Sequence, residues 1–222
     1  MELKVIISGY GKMGHMVEAR LKARGIEAVA ASEDICAVDP ALARECICID
    51  FTTPDAFKAN YIFIAANFKA AVVGTTGWND IKDAVVAEFL AQGTPMIYAS
   101  NFSIGVNALF AAVQKASAVL KGHGYTPAIS ETHHIHKLDA PSGTAKSLGA
   151  IVEEEMGETP VITSFREGEV PGIHTVEFLS SCDKLVFSHE AFSREGLAEG
   201  AVAAAFMTEG LTGVHEFKEL IV

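Results

Sequence analysis

A short run in the middle of the chain concentrates side chains that bind anions and transfer protons. Residues 131–145 contain three of the eight histidines, His133, His134 and His136, followed closely by Lys137. Imidazole exchanges protons near neutral pH, and imidazole and ammonium groups both donate hydrogen bonds to carboxylates. The run therefore predicts a site at which an anionic substrate is bound and protons are moved.

The second part of this run predicts the beginning of a helix that faces an anion. Pro141 favours a turn and Ser142 suits an N-cap, so that Gly143 and Thr144 lie in the first helical turn. First-turn N–H groups point toward an anion at a helix N-terminus, and Lys137 adds a full positive charge just before them. A capped helix with surface histidines would explain any one of these residues, but it does not account for the whole run.

A metal site is the competing interpretation of the histidines, because imidazole is a common metal ligand. Its ligands would be His133, His134 and His136. No spacing here matches a zinc pattern such as H-E-x-x-H, and the four cysteines lie far away in the sequence. We therefore expect no metal.

A glycine-rich loop near the N-terminus predicts dinucleotide binding. Gly9, Gly11 and Gly14 match G-x-G-x-x-G between an apolar strand-like run and a helical pattern. The first glycine allows a tight turn, the second allows the backbone to approach a pyrophosphate, and the third allows the helix to pack closely on the strand. The N-terminus of the following helix favours phosphate binding.

An acidic residue about 20 positions further on indicates which nucleotide is bound. Glu33 stands 19 positions after Gly14, and Asp34 follows it. A carboxylate there accepts hydrogen bonds from ribose hydroxyls and repels a 2′-phosphate. We therefore expect NADH to be preferred and NADPH to remain possible, since Lys12 could contact a phosphate.

Two further segments follow strand-like runs and are expected at the nicotinamide end of the cofactor. They are Gly74, Thr75 and Thr76, and then the four residues Ala99, Ser100, Asn101 and Phe102. In a doubly wound sheet, ligands bind outside the carboxyl ends of the strands.

The elements that must position these residues change in character near residue 101. In the first half, strands over residues 3–8, 26–31, 45–51, 70–74 and 95–99 alternate with helices over 11–24, 55–67 and 79–92. This alternation predicts βαβ units and a parallel sheet. The second half combines helices over 107–120, 142–156 and 198–208 with β-rich runs over 127–134 and 161–189, which predicts an α+β arrangement.

Composition excludes several classes of protein. The chain has 222 residues, is 50% hydrophobic and 20% charged, and carries a formal net charge of −11. Such a chain can bury a substantial core, and its acidity argues against a general nucleic-acid binder. It contains no apolar stretch near the roughly 20 residues that cross a bilayer, and its first residues do not resemble a signal peptide. Cys46 and Cys48 alternate in an apolar run as core thiols, so we expect a reduced, cytoplasmic protein that binds neither membrane nor nucleic acid.

The motifs taken together resemble the dihydrodipicolinate reductase family, whose members act in lysine and diaminopimelate synthesis. The resemblance rests on residues 131–145, on the glycine loop, on residues 49–52, 74–77 and 100–107, and on later matches at residues 172–175, 193–194 and 200–202. It implies reduction of 4-hydroxy-tetrahydrodipicolinate, through dihydrodipicolinate and with loss of water, to tetrahydrodipicolinate. It also implies that NAD(P)H delivers hydride to ring carbon C4 and that a proton is added to the adjacent carbon.

The resemblance also implies roles for individual residues. His133 matches the family's acid/base histidine and Lys137 its proton donor. His134, Lys137, Ser142, Gly143 and Thr144 match positions that bind the substrate. Cofactor positions are matched by Ser8, Gly9, Tyr10, Gly11, Lys12, Met13, Glu33, Gly74, Thr75, Thr76, Ala99, Ser100, Asn101 and Phe102. Many members carry glycine where this chain has Ser8, and members that use NADPH well commonly carry arginine where it has Asp34.

The implied fold is a Rossmann-type doubly wound sheet, formed by residues 1–103 and 193–222, with a smaller α+β domain over residues 104–192. That second domain would hold an open mixed sheet, bind the dicarboxylate substrate and assemble the family's homotetramer. Two alternatives remain open: another small Rossmann dehydrogenase acting on an amino or hydroxy acid, and a module that binds NADH without catalysis.

Overall fold

In a computed structural model that describes residues 3–221, the chain divides into two compact units. One unit runs to Ser103 and resumes over Leu197–Ile221, whereas the other spans Ile104–Gly196. The resemblance placed the return to the first unit at Ser193, four positions earlier. Residues 1, 2 and 222 of the expected domain ranges lie outside the described residues. No helix within the described range is both long enough and apolar enough to span a bilayer.

The first unit is an α/β fold built on a six-stranded sheet. Its strands, numbered in chain order across both units, are β1 (Val5–Ser8), β2 (Ala30–Ser32), β3 (Ile47–Asp50), β4 (Ala70–Val73), β5 (Met96–Tyr98) and β10 (Val214–Glu216). Its helices are α1 (Lys12–Ala23), α2 (Pro40–Ala43), α3 (Pro54–Asn67), α4 (Lys82–Gln92), α7 (Glu195–Met207) and α8 (Phe217–Leu220).

The sheet order is β10-β5-β4-β3-β1-β2, and every neighbouring pair is parallel. Alternate strand residues face opposite sides, so Val5 and Ile7 join the core under α1 and α7, while Ile6 joins the core under α3 and α4. Cys46 and Cys48 are fully buried in the second of these cores, as predicted. Helices thus cover both faces of a parallel sheet, which confirms the predicted Rossmann-type architecture.

Two strands differ from the sequence prediction. The second strand begins at Ala30 rather than at Ile26, because the Ile26 N–H is hydrogen-bonded to Leu21 at the end of α1 and only residues 30–32 pair in register with β1. The edge strand β10 was not predicted. It has three residues, two of them polar, and is too short to show an alternating pattern.

The second unit packs two helices on a mixed four-stranded sheet. Its elements are α5 (Ile104–Leu120), β6 (Thr126–His133), α6 (Gly143–Met156), β7 (Val161–Arg166), β8 (Gly172–Leu179) and β9 (Lys184–Ala191). The strand order is β7-β6-β8-β9; β6 and β7 are parallel, whereas β8 runs antiparallel to both β6 and β9. This is the α+β arrangement with an open mixed sheet that was predicted.

One face of this second sheet is apolar at one end and polar at the other. Along β6, Ile129, Glu131 and His133 are all buried and alternate with more exposed residues. Ile129 belongs to the core with Val176 of β8, whereas Glu131 pairs in register with His174 of the same strand. The side of the sheet that holds the core therefore also presents a cluster of ionisable side chains where β6 ends.

Candidate active site

A buried carboxylate and two buried imidazoles meet at the end of β6. Glu131 and His133 are two residues apart on the strand, and Glu131 Oε2 is hydrogen-bonded to His133 Nδ1. The ring of His174, from β8, lies edge-on to the His133 ring with centroids 5.0 Å apart. Arg166, at the end of β7, places both terminal guanidinium nitrogens 3.1 Å from Glu131 Oε1. The strand register explains this meeting, because His133 pairs with Arg166 and Glu131 with His174.

This environment fixes the protonation states of the cluster. Burial would raise the pKa of Glu131, but hydrogen bonds from Ser164, His133 and Arg166 outweigh it and the pKa is lowered. Burial lowers the pKa of His133 despite the opposing effect of Glu131, and burial lowers the pKa of His174 to about 4. An ionised carboxylate only accepts, so neutral His133 carries its proton on Nδ1. Its Nε2 is then left as a proton acceptor.

The space around His133 Nε2 depends on the absence of a side chain at Gly172. Gly172 begins β8 with φ +158°, and a Cβ at this position would lie 3.0 Å from His133 Nε2. Such a distance is tighter than ordinary packing contacts. The His133 imidazole on the neighbouring strand therefore leaves little room for a side chain at Gly172, the first residue of β8.

Ser142 joins this cluster to the start of α6. Its hydroxyl accepts from the Ala145 N–H at 3.2 Å, which makes it the N-cap that the sequence predicted. The same oxygen lies 3.1 Å from His174 Nε2, and the Ser142 N–H donates to Glu131 Oε1 at 3.3 Å. Ser142 is 2% exposed, so its polar atoms are bonded within the protein, whereas Gly143 is exposed and Thr144 half-buried.

Lys137 lies in the loop between β6 and α6. Its side chain is half-buried, and its ammonium is paired with Asp139 Oδ1 at 2.8 Å. His134 is also half-buried, and its Nδ1 has no hydrogen-bond partner. The loop is held by its backbone, since the Lys137 N–H donates to the His134 carbonyl at 3.1 Å. Lys137, His134, Gly143 and Thr144 thus have surface exposure, while Glu131, His133 and Ser142 are buried.

The structure brings together a different set of possible metal ligands from the one in the sequence alternative. Glu131, His133 and His174 each offer a ligand atom within 4.8 Å of the others, whereas the rings of His134 and His136 are 6.0 Å apart. One carboxylate and two imidazoles form a donor set of the kind that zinc binds. Here, however, both carboxylate oxygens of Glu131 are already bonded, one to His133 and the other to Arg166.

The glycine loop of the first unit fits a bound dinucleotide. Gly9 follows β1 with φ +85°, and a Cβ there would lie 2.5 Å from the carbonyl oxygen of Phe51. A Cβ on Gly14 would collide with the Gly9 carbonyl. Gly11 is the N-cap of α1, offers no capping side chain and has open space around its Cα. The first turn of α1 also contains no acidic residue, so its N–H end remains suited to a pyrophosphate.

A buried carboxylate joins three strand ends beside this loop. Asp50, at the end of β3, accepts hydrogen bonds from Ser8 at 2.6 Å, from Thr75 at 2.5 Å and from Thr52 at 3.0 Å. Asp50 is fully buried and Ser8 is 1% exposed. Burial raises the pKa of Asp50, and these hydrogen bonds only partly oppose the increase. The Ser8 and Thr75 hydroxyls therefore hold the ends of β1, β3 and β4 together.

The two acidic residues after β2, Glu33 and Asp34, have different surroundings. Both are exposed, but Asp34 Oδ1 accepts the Cys36 N–H at 3.1 Å and caps a short 3₁₀ turn over Ile35–Ala37. Glu33 has no such structural role in the described contacts.

The other predicted cofactor residues lie at the carboxyl ends of the parallel strands. Gly74, Thr75 and Thr76 follow β4, while Ala99 to Phe102 follow β5. Within these segments Thr76 and Ser100 are exposed and Gly74 and Asn101 are half-buried. Phe102 is 2% exposed and Ala99 is 8% exposed, and both belong to the core of the unit. In the loop, Tyr10 donates to Glu18 at 2.6 Å, Lys12 is exposed, and Met13 packs on the core.

Sequence reasoning gave no role to four residues of these two sites. They are Asp50, Glu131, Arg166 and His174. The alternation along residues 129–133 could have indicated that an acid and a histidine share the face of a buried isoleucine. Another partner of that acid, Arg166, comes from a different strand 35 residues further on, and a single sequence does not reveal such a register.

Comparisons with known proteins identify the family that both halves of the chain match. The family model described as "Dihydrodipicolinate reductase, N-terminus" matches residues 3–102, and that described as "Dihydrodipicolinate reductase, C-terminus" matches residues 105–221. A protein of Christiangramia forsetii named 4-hydroxy-tetrahydrodipicolinate reductase is 36% identical over 99% of this chain and 98% of its own length. A protein of the same name from Akkermansia muciniphila is 34% identical over 94% of this chain and 93% of its own.

Solved structures support the same fold. A dipicolinate-bound dihydrodipicolinate reductase from Paenisporosarcina sp. TG-14 covers 100% of both chains with a TM-score of 0.85 at 21% identity. An aspartate dehydrogenase from Thermotoga maritima covers 95% of this chain and 98% of its own, with a TM-score of only 0.55 at 13% identity. The matches to both halves of the family and the two nearly full-length relatives agree with one another: the chain belongs to the dihydrodipicolinate reductase family.

Proposed function

We propose that this member of the family reduces 4-hydroxy-tetrahydrodipicolinate with a nicotinamide nucleotide, and that His133 and Lys137 carry out its proton transfers. The observation that carries the proposal is the arrangement at the end of β6. A buried Glu131–His133 pair comes directly before the loop of Lys137, and the N-terminus of α6 follows that loop. A proton-transfer group, a cation and a helix N-terminus are what a dianionic substrate requires.

The carboxylates of the substrate would be bound by the exposed part of this arrangement. In the described contacts the Lys137 ammonium is paired with the half-exposed Asp139, so a substrate carboxylate can replace that partner. His134 and the first turn of α6 at Gly143 and Thr144 supply further donors. Ser142 fixes the position of this first turn as its N-cap, and its hydroxyl is hydrogen-bonded to His174. In this proposal the likeness to the dipicolinate-bound structure supports a small cyclic dicarboxylate as the ligand.

Water is lost first: the C4 hydroxyl leaves with a proton from the neighbouring ring carbon, and a ring C=C bond forms between the two carbons. Reduction of that bond then requires a hydride and a proton. When bound, NAD(P)H would supply the hydride that ring carbon C4 receives. Lys137 holds a proton on Nζ and delivers it to the adjacent ring carbon, so that two C–H bonds replace one C=C bond. His133 exchanges protons through Nε2, because Nδ1 is committed to Glu131. The positive charge of Lys137 also offsets the negative charge that the ring gains as hydride arrives.

The nucleotide would be held by the first unit. Gly9, Gly11 and the N-terminus of α1 receive the pyrophosphate, and the residues after β4 and β5 flank the nicotinamide. We propose a preference for NADH, supported by the exposed Glu33 and by Asp34, whose carboxylate is turned to its own 3₁₀ turn. Equal or better kcat/KM with NADPH would contradict this preference. Replacing Asp34 with arginine should shift the ratio toward NADPH, while Asp39→Arg serves as a control at another acidic N-cap.

A turnover assay tests the roles of the two catalytic residues. The product of a dihydrodipicolinate synthase is supplied with NADH, and the fall in NADH absorbance is followed. We expect His133→Gln and Lys137→Met each to lower kcat by about 100-fold or more, which is the usual size of a general acid–base contribution. His136→Gln and Lys121→Met provide matched exposed controls. No turnover by the unaltered protein would reject the function, and near-full kcat in both variants would reject the roles.

The metal, assembly and compartment remain part of the same proposal. We assign no metal, because both oxygens of Glu131 are bonded within the protein; stoichiometric zinc with activity lost to a chelator would overturn this.

We propose a homotetramer joined through the open face of the second sheet, where Val161 and Phe165 are exposed on β7 and Val186 on β9. Light scattering on the purified protein tests the tetramer. A cytoplasmic location is proposed from the biosynthetic role, and fractionation tests it.

A further inference from the structure

One guanidinium connects the two proposed catalytic residues of the second unit. Both terminal nitrogens of Arg166 bond Glu131, which in turn holds His133. Arg166 Nε donates to the carbonyl of Lys137 at 3.2 Å, and a terminal nitrogen donates to the carbonyl of Asp139 at 2.6 Å. The same side chain therefore contacts the partner of the buried imidazole and two carbonyls of the loop that presents Lys137.

We propose that Arg166 and Glu131 are positioning residues of the reductase, which fix the orientation of the His133 ring and the path of the Lys137 loop. Neither acts on the substrate in this proposal. The inference rests on the proposed function, because it assigns a purpose to the bonds that hold the two residues named there.

The contacts of Arg166 exceed what a salt bridge alone requires. Neutralising Glu131 would need one positive charge, which lysine would also supply. The planar fork of arginine makes hydrogen bonds in several directions at once, and here three of its acceptors belong to Glu131, Lys137 and Asp139. Substitutions can therefore test the positive charge of Arg166 separately from its forked hydrogen-bonding geometry.

The charged groups around His133 determine whether each substitution raises or lowers the pKa of its ring. The ionisable groups that face it are Glu131 on its own strand, Arg166 on β7, His174 on β8, and Lys137 in the loop. Glu131 raises the pKa of His133, whereas Arg166 and Lys137 lower it. Loss of the Arg166 charge should raise the pKa of His133, and loss of the Glu131 charge should lower it. Shifts of opposite sign would show that both charges act directly on the His133 ring.

The experiment compares Arg166→Lys, Arg166→Met and Glu131→Gln with Arg44→Met, a control at an exposed arginine. Arg166→Lys keeps the charge but loses the fork, so we expect kcat to fall about 10–100-fold with the pH profile unchanged. Arg166→Met should lower kcat at least as much and move the acidic limb of kcat/KM to higher pH. Glu131→Gln should move that limb to lower pH, and the KM for NADH should change little in all three.

A measurement without turnover separates this inference from the proposed function. Nitrogen-15 spectra of the histidine rings, with the His133 signals assigned by His133→Gln, report its tautomer and pKa directly. We expect Nδ1-protonated neutral His133 in the unaltered protein and pKa shifts of opposite sign in Arg166→Met and Glu131→Gln. Finding these shifts without any turnover would reject the proposed function and leave the ring orientation supported.

The opposite result would overturn the inference. If the unaltered protein turns over and His133→Gln does not, while the Arg166 variants retain kcat within twofold and an unmoved His133 pKa, Arg166 is not a positioning residue. Circular dichroism checks folding. If Glu131→Gln fails to fold, Arg166→Lys and Arg166→Met still give the decisive kinetic and spectroscopic results.

Discussion

Replacing Ser8 with alanine removes one donor from the buried Asp50 carboxylate, and we expect it to destabilise the first unit by about 2 kcal/mol. The Ser8 hydroxyl donates to Asp50 Oδ2 at 2.6 Å, and both residues are shielded from solvent. A hydrogen bond to a charged group contributes about 1.5–3 kcal/mol. Because Thr75 and Thr52 still bond the carboxylate, we take a value in the lower half of that range.

The single tryptophan gives an assay specific to this region. Trp78 is 4% exposed, and its indole N–H donates to the carbonyl of Thr75 at 2.6 Å, beside a hydroxyl that bonds Asp50. Urea unfolding followed by Trp78 fluorescence therefore reports on the same cluster. The expected loss corresponds to a fall in Tm of about 4–8 °C for a chain of this size.

The loss should also depend on pH, with a sign set by Asp50. Its folded-state pKa is raised by burial, so its contribution to stability is full below the ordinary value of 3.8 and is lost as pH rises through the folded pKa. Ser8 lowers that folded pKa, and Ser8→Ala therefore raises it further. The difference between variant and parent should be small in acid and should grow as pH rises above 3.8 through the folded pKa.

Two controls define the result that would refute this reasoning. Ser181→Ala removes an exposed serine hydroxyl and should change stability by less than about 0.5 kcal/mol. In an Asp50→Asn background, Ser8→Ala should cost less than in the parent, because the acceptor is no longer charged. A loss below about 0.5 kcal/mol at neutral pH, or a loss that grows as the pH falls, would show that Ser8 does not stabilise an ionised Asp50.

Three further substitutions test separate parts of the structure. Phe178→Ala in the core of the second unit should cost about 3–5 kcal/mol in urea unfolding, and a loss under 1 kcal/mol would mean that this core is loosely packed. Gly172→Ala should lower kcat at least about tenfold, because its Cβ would displace His133, and unchanged kcat would contradict the placement of that ring. Lys4→Ala breaks an exposed pair with Glu45, so any loss should stay within about 1 kcal/mol and disappear in high salt; a salt-independent loss would indicate another role for Lys4.

Structure that depends on residues a few positions apart could be predicted from the sequence, whereas contacts between distant residues could not. The glycine loop and the Ser142 N-cap were predicted because their geometry depends on neighbours a few positions away. The bond between Glu131 and Arg166 depends on the parallel pairing of β6 with β7, which follows a helix, and no local pattern specifies that register. For the same reason the sequence indicated a strand at Asp50 but not its bond to Thr75, 25 residues away.

Both units place a buried carboxylate at a strand end, but the donors differ and so should the response to acid. Asp50 is bonded by hydroxyls and has a raised pKa, so its protonation as pH falls does not weaken the first unit. Glu131 is bonded by Arg166 and His133 and has a lowered pKa, so the stability it contributes is lost as pH falls from 4.5 through the folded value. We therefore expect acid to weaken the packing around Glu131, monitored by the backbone amide signals of β6, before it alters the fluorescence of Trp78. Glu131→Gln should remove this order, whereas loss of the Trp78 signal first in the parent would contradict the assignment of the two carboxyls.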